Sequence, residues 1–263
     1  MFFSRWKYYL LSIPRLLWHV RPLPTVVRLF LKLPIATPTT IHLRNGLRFK
    51  VRNAMDVWII KEIALEHDYQ VSSIPFQDGW NIIDIGGGIG DFAVTTARLC
   101  PNSQILSFEP FPESFALLQE NLKLNQVRNV TAYQKAVSNT SETLQLQIGT
   151  GVAVEHSTAK ISAADDPNAI QVQAIGLSDV LDQHSMAQCD YLKIDCEGAE
   201  FEMLMNTPAA TFARIKRICL EYHDHVTHYT HRDLVRLFEQ HGYTVRLRAN
   251  PVHSYLGMLF AAK

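Results

Sequence analysis

From Trp80 onward, short apolar strands alternate with helical segments, and this alternation constrains the fold more than any other feature of the chain. Strand "NIIDI" runs through a glycine loop into the helix "DFAVTTARLC". Strand "QILSFEP" runs into "PESFALLQENLKLN", where Phe115, Leu118 and Leu122 make an i, i+3, i+7 stripe. "NVTAYQKAV" reads as a third strand. "ETLQLQIG" and "IQVQAIG" alternate on either side of a polar stretch, and "LSDVLDQH" is a short helix. "DYLKID" leads to the helix "AEFEMLMN" and "IKRICLEYH" to "HRDLVRLFEQHG", and two last strands, "YTVRLRA" and "YLGMLFAA", follow. Strand–helix–strand units connect right-handedly, so the expected fold is α/β, with a mostly parallel sheet and helices on both faces. Ligands of such sheets bind at the carboxyl ends of the strands. The residues that end strands are therefore the ones to read for function.

The first strand ends in "DIGGGIG". A dinucleotide fingerprint needs G-x-G-x-x-G. Gly86 and Gly88 fit its first two positions, but the third falls on Asp91, and the glycines run Gly86, Gly88, Gly90. Asp84, at the mouth of the loop, would repel a pyrophosphate and suits a ligand that carries an ammonium group. Glu109 ends the second strand, where an acid can accept hydrogen bonds from both hydroxyls of a ribose. Together these features make S-adenosyl-L-methionine (SAM) the leading ligand, because it combines an ammonium with a ribose and has no phosphate.

The segments "IIDIGGGIGDFA", "SFEPFPESFALLQENLKLN", "NVTAYQKAVSN" and "YLKIDCEGAEFEML" resemble the successive motifs of class I SAM-dependent methyltransferases of the FkbM type. The resemblance covers roughly residues 80–245, and "LKIDCEGAE" is its most specific part. It implies a Rossmann-like, seven-stranded sheet with one antiparallel strand, and O-methylation of a sugar, glycolipid or secondary-metabolite hydroxyl. It also implies SAM contacts at Asp84, Gly86, Gly88 and Glu109, with Gly90 completing the loop and adenine near Ala136. The family often has a small residue and then Asn where this chain has Gly87-Gly88.

"KIDCEGAE" sets Asp195, Glu197 and Glu200 just past a strand end. Such acids can bind an acceptor hydroxyl, take its proton or ligate a metal, or they can simply favour the first turn of a helix. The next strand ends in Glu221 and His223, and His223 is a candidate base. Oxygen and imidazole donors on adjacent strand ends make a divalent cation a further candidate, although no tetrahedral zinc spacing appears. The expected catalytic set is Asp195, Glu197 and His223. Lys193 alternates with Asp195 and is a weaker candidate for a substrate contact.

Residues 1–55 contain ten Lys or Arg and no acid, whereas the whole chain is balanced at 25 basic and 25 acidic residues. We expect a basic, aromatic-rich extension with a hairpin turning at Asn45-Gly46, then a methyltransferase domain over 56–263 that opens with a helix at 56–69. Arg15, Arg21 and three prolines interrupt any transmembrane run. The first reading is a cap that packs on the core and leaves its arginines in water; interleaved basic and aromatic residues also suit a segment lying on an anionic bilayer, and nucleic acid is not expected. Four cysteines without CxxC spacing read as buried thiols in a reducing compartment. The expected location is therefore cytoplasmic, with peripheral contact to the inner face of a membrane as the extension of that reading. The acceptor pocket is expected from residues 149–170, the 56–69 helix and the histidine loop. Two other readings compete: a non-catalytic nucleoside-binding, membrane-apposed module, and an NAD-dependent oxidoreductase.

Overall fold

A computed structural model describes residues 2–69, 75–147 and 169–263, with the backbone alone at 2–9, 11, 147 and 169. Most of the segment 149–170, expected to help form the acceptor pocket, lies outside the described residues.

The chain opens with α1 (Phe2–His19), the short strand β1 (Val20–Arg21) and α2 (Leu23–Phe30). β2 (Thr39–Leu43) and β3 (Arg48–Val51) form the expected hairpin, and β1 pairs antiparallel on the outer edge of β2. Gly46 takes a left-handed φ of 91° at the turn, and the Asn45 side chain accepts from the Leu47 amide at 3.1 Å. α3 (Ala54–Ala64) starts at Asn53, whose side chain caps the amides of Met55 and Asp56. It ends before the 56–69 pattern does, and Tyr69 lies beyond it.

The Rossmann-like part follows as β4 (Asn81–Ile85), α4 (Asp91–Leu99), β5 (Gln104–Phe108), α5 (Pro112–Leu124) and β6 (Val130–Tyr133). β7 (Ala136–Ser138), β8 (Thr143–Gln147), β9 (Ala169–Gly176) and α6 (Leu177–Gln183) come next. The chain continues through β10 (Tyr191–Ile194), α7 (Ala199–Met205), α8 (Ala209–Ala213) and β11 (Arg217–His223), then α9 (His231–Gln240), β12 (Thr244–Ala249) and β13 (Leu256–Ala262). The seven-stranded sheet has the order β12-β13-β11-β10-β4-β5-β6, and β13 runs against the direction of the other six strands. β4 and β10 lie at its centre and are covered on both faces. They therefore read as near-continuous apolar runs, and Ile82, Ile83, Leu192 and Ile194 are fully buried.

"NVTAYQKAV" is two strands, not one. β5 ends at Phe108, and the last bond to β6 runs from the Glu109 amide to the Tyr133 carbonyl at 3.0 Å. With no partner beyond that point, the chain breaks at Gln134-Lys135. Ala136–Ser138 then pairs with β9 in a separate sheet, β7-β9-β8.

The N-terminal extension is not a separate layer. Leu16, Val20, Val26, Leu29 and Phe49 share one core cluster with Val57, Ile60, Ile89 and Leu118. Asn121 of α5 and Asn125 just past its end bond the backbone of Lys50 and Arg48 in both directions, sealing the free edge of β3. The boundary expected at residue 55 falls inside α3.

Candidate active site

β4 and β10 pair in parallel register up to Ile85 and Ile194, and their ends touch. Gly86 has φ of 75°, and a Cβ built there would lie 1.7 Å from the Asp195 carbonyl oxygen. Only glycine permits this approach. It brings the glycine loop and the "DCEGAE" turn to one place.

A cavity of about 880 Å³ opens over these strand ends, within the range of small-molecule sites. Gly86, Gly88, Glu109, Ala136, Asp195 and Glu197 line it, and Asp84, Gly90 and His223 do not. Gly90 instead caps α4 in a left-handed conformation, packed against Leu118.

Asp84 is fully buried beneath the loop. Its Oδ1 lies 3.0 Å from Lys193 Nζ, and its Oδ2 accepts from Ser107 Oγ at 2.7 Å. The ammonium beside this carboxylate is thus an internal one. Lys193 also donates to the carbonyls of Ile85 and Gly86. Burial alone would lower the pKa of Lys193, but Asp84, Asp195 and Asp91 raise it and keep it charged.

Glu109 accepts from the Gly88 amide at 2.8 Å and from the Phe111 amide at 2.9 Å. Its carboxyl is therefore aimed at the loop by two backbone donors. Burial pushes its pKa up to about 7 against those bonds. Asp91, the first residue of α4, is on the cavity wall as well, and burial raises it to about 7. The sequence reading passed over Asp91, yet there was a signal: it stands where a dinucleotide fingerprint would place its third glycine.

A family model described as "Methyltransferase FkbM domain" matches residues 84–245. The chain belongs to the FkbM methyltransferase family. It is 30% identical to Methyltransferase 1 of Beauveria bassiana over 184 residues, 64% of this chain and 73% of that protein. It is 25% identical to the 31-O-demethyl-FK506 methyltransferase FkbM of Streptomyces tacrolimicus, covering 81% of this chain and 92% of that one. Among solved structures, a methyltransferase FkbM from Methylobacillus flagellatus KT superposes with a TM-score of 0.50 at 15% identity, over 79% of this chain and 54% of that one. That likeness concerns the fold.

In this FkbM chain the cavity wall is rich in acid. Asp56, Asp91, Glu109, Glu142, Asp195, Glu197 and Glu202 face Arg52 and Lys193, with His228 as a third basic group. Such a field disfavours phosphate and fits the net-cationic SAM. Arg52 was not foreseen from the sequence. It reaches the wall from the end of β3, forks onto Asp56 with its Nη2 at 3.1 Å from Oδ1, and donates to Ser114 Oγ at 3.2 Å.

On the β10–β11 side, Asp195 Oδ2 accepts from the buried Tyr69 hydroxyl at 2.8 Å. Burial, and then the Asp195 charge, raise the Tyr69 phenol well above its usual value, so it stays a donor. Glu200 is fully buried and accepts from the Gly198 amide at 2.7 Å and the His223 amide at 3.1 Å. It also holds His223 Nδ1 at 3.0 Å, while His223 Nε2 lies 3.3 Å from Glu197. Burial would lower the His223 pKa, but the Glu200 hydrogen bond and the charges of Glu200, Glu197 and Glu221 lift it to about 10. The surrounding carboxylates favour the protonated ring, and the ring does not line the cavity. The expected base from the strand end is thus set between two carboxylates, Glu200 and Glu197. Burial and then Asp195 push Glu221 up to about 8. Among the described residues, Asp195, Glu197 and His223 each offer one ligand atom within 4.8 Å of the others, a set that could hold a divalent cation. His223 would first have to lose its Nε2 proton.

Proposed function

We propose that this methyltransferase binds SAM over the ends of β4, β5 and β10 and methylates a hydroxyl of a sugar, glycolipid or secondary metabolite. The observation that carries this reading is Glu109. Its carboxyl is fixed by the Gly88 and Phe111 amides at the end of the second strand, on the wall of an acidic cavity. The choice of oxygen as acceptor is supported by the printed name of the Streptomyces relative, a 31-O-demethyl-FK506 methyltransferase.

When bound, SAM supplies an electrophilic methyl group on a sulfonium. The chain then has to position the acceptor and manage one proton. Glu109 accepts the ribose hydroxyls, and Gly86 and Gly88 let the backbone come close to the ligand. Asp91 and the other wall carboxylates offset the ligand's positive charge. Asp195 orients the acceptor hydroxyl and takes its proton, with Tyr69 holding the carboxylate in place. Glu197 stands beside it on the same wall. Asp84 acts at one remove, by keeping Lys193 charged under the loop. Positioning of this kind contributes several kcal/mol, about 7–11 in well-oriented model reactions.

Isothermal titration of the full chain with SAM, S-adenosylhomocysteine and NAD tests the ligand, and transfer of labelled methyl from SAM to panels of hydroxyl and amine acceptors tests the chemistry. The expected result is binding of the first two ligands and label on hydroxyl acceptors. NAD binding without SAM binding, or label on amines alone, would overturn the reading.

A further inference from the structure

The outer sides of α1 and α2 combine two properties that a solvent-facing surface rarely joins. Leu16, Val20, Val26 and Leu29 anchor this part of the chain in the core. Ile13, Leu17 and Trp18 on α1 are exposed, as are Phe30 of α2 and Leu31 and Leu33 just beyond it. Eight of the twelve exposed large apolar side chains among the described residues fall within residues 10–33. Scattered single apolar residues mean little, but a concentration of this kind marks an interaction surface.

The same window contains Arg15, Arg21, Arg28 and Lys32 and no acid. Arg15 reaches Glu66 only at 3.8 Å, and Arg28 and Lys32 make no ion pair among the described residues. The Arg44 guanidinium lies 3.9 Å over the Trp18 ring, so a further cation sits beside the exposed indole.

We infer that the outer face of α1 and α2 docks on an anionic lipid bilayer. Cations drawn to acidic headgroups, with aliphatic and indole side chains entering the headgroup boundary, are what such a surface requires. No helix of the described residues is long and apolar enough to cross a membrane, so the contact is peripheral. A second copy of the chain fits less well, because a two-fold contact would press the same unneutralised cations together. Nucleic acid fits less well too, because six of the eight exposed apolar side chains are aliphatic, Arg44 already covers the Trp18 ring and Phe30 packs against Trp58, which leaves bases little to stack on. The face lies one helix away from the cavity: Phe30 meets Trp58 of α3 edge-on at 6.4 Å, and Ile59 and Ile63 of α3 line the cavity wall.

The test is flotation of the full chain with vesicles of phosphatidylcholine alone and of phosphatidylcholine with about one-third phosphatidylserine, at low salt. Co-flotation with the acidic vesicles only, abolished by high salt, is expected. Arg28→Glu/Lys32→Glu should weaken binding roughly tenfold or more, and Leu17→Ser/Leu31→Ser should do likewise. All four positions are exposed, and unchanged thermal unfolding would show that both variants fold. No co-flotation, equal co-flotation with neutral vesicles, or binding that neither variant weakens would each overturn the inference. So would a dimer in solution that Leu17→Ser/Leu31→Ser dissociates while vesicle binding stays unchanged, since the face would then belong to a second copy.

Discussion

Lys193 Nζ and Asp84 Oδ1 lie 3.0 Å apart on paired parallel strands, both groups buried under the glycine loop. Removing one partner of a buried pair leaves an uncompensated charge, at a cost of about 3–5 kcal/mol. Lys193→Met and Asp84→Asn should each lower stability to urea by an amount of that order. The double variant should recover much of the loss. If Asp84→Asn unfolds normally yet loses S-adenosylhomocysteine, Asp84 touches the ligand directly.

Glu109 and Asp91 both sit at about 7, held up by burial. A cationic ligand stabilises their ionised forms, so SAM affinity should rise about tenfold between pH 6 and pH 8. Calorimetry at the two pH values checks this. Glu109→Gln should flatten the profile and weaken binding at pH 8 roughly 10- to 100-fold, the range for a lost charged hydrogen bond. An unchanged profile in the variant would remove Glu109 from the ribose.

Asp195→Asn keeps the side chain's shape and removes its charge. Turnover should fall about 100-fold or more, the range for a lost acid–base group, while SAM affinity changes by less than about tenfold. Near-normal turnover would leave catalysis to positioning alone. Activity lost to EDTA and restored by Mg²⁺ would make Asp195 a metal ligand instead, together with Glu197 and His223.

His223 is raised from 6.5 to about 10 in the folded chain. A raised basic group stabilises the fold fully below its unfolded pKa and loses that contribution as pH climbs through the folded value. Thermal stability should therefore decline from about pH 6.5 towards pH 10 as the His223 proton is lost. Glu221, raised from 4.5 to about 8, acts in the same direction over its own range, because ionising it costs the folded state more than the unfolded one. His223→Gln should flatten the upper part of the decline. A melting temperature level across that window would show that the imidazolium pairs contribute nothing.

The fold class was legible because it rests on local pattern. A strand reads as apolar over four or five residues, a helix as a 3.6-residue stripe, and "DIGGGIG" marks a strand-to-helix turn without reference to the rest of the chain. From these, the carboxyl ends of β4, β5 and β10 followed as the place for a ligand. Gly86, Gly88, Glu109, Asp195 and Glu197 stand at those strand ends, and they line the cavity together with Ala136, which only the family resemblance had pointed to.

What each charged group does there was decided only by tertiary structure. The register of β4 on β10 sets Asp84 beside Lys193 and turns it inward, and no local pattern contains that register. The hairpin and the segment that follows α3 bring Arg52 and Tyr69 to the site from outside the alternating region. Glu200 and His223 close on each other across the space between α7 and β11, and the carboxylates gathered there raise the pKa of the expected base against the effect of burial. Sequence carries the identity of an ionisable group and its local periodicity. Its proton affinity and its partner depend on solvent exclusion and on neighbours distant along the chain, and these exist only once the strands have paired and the helices have packed.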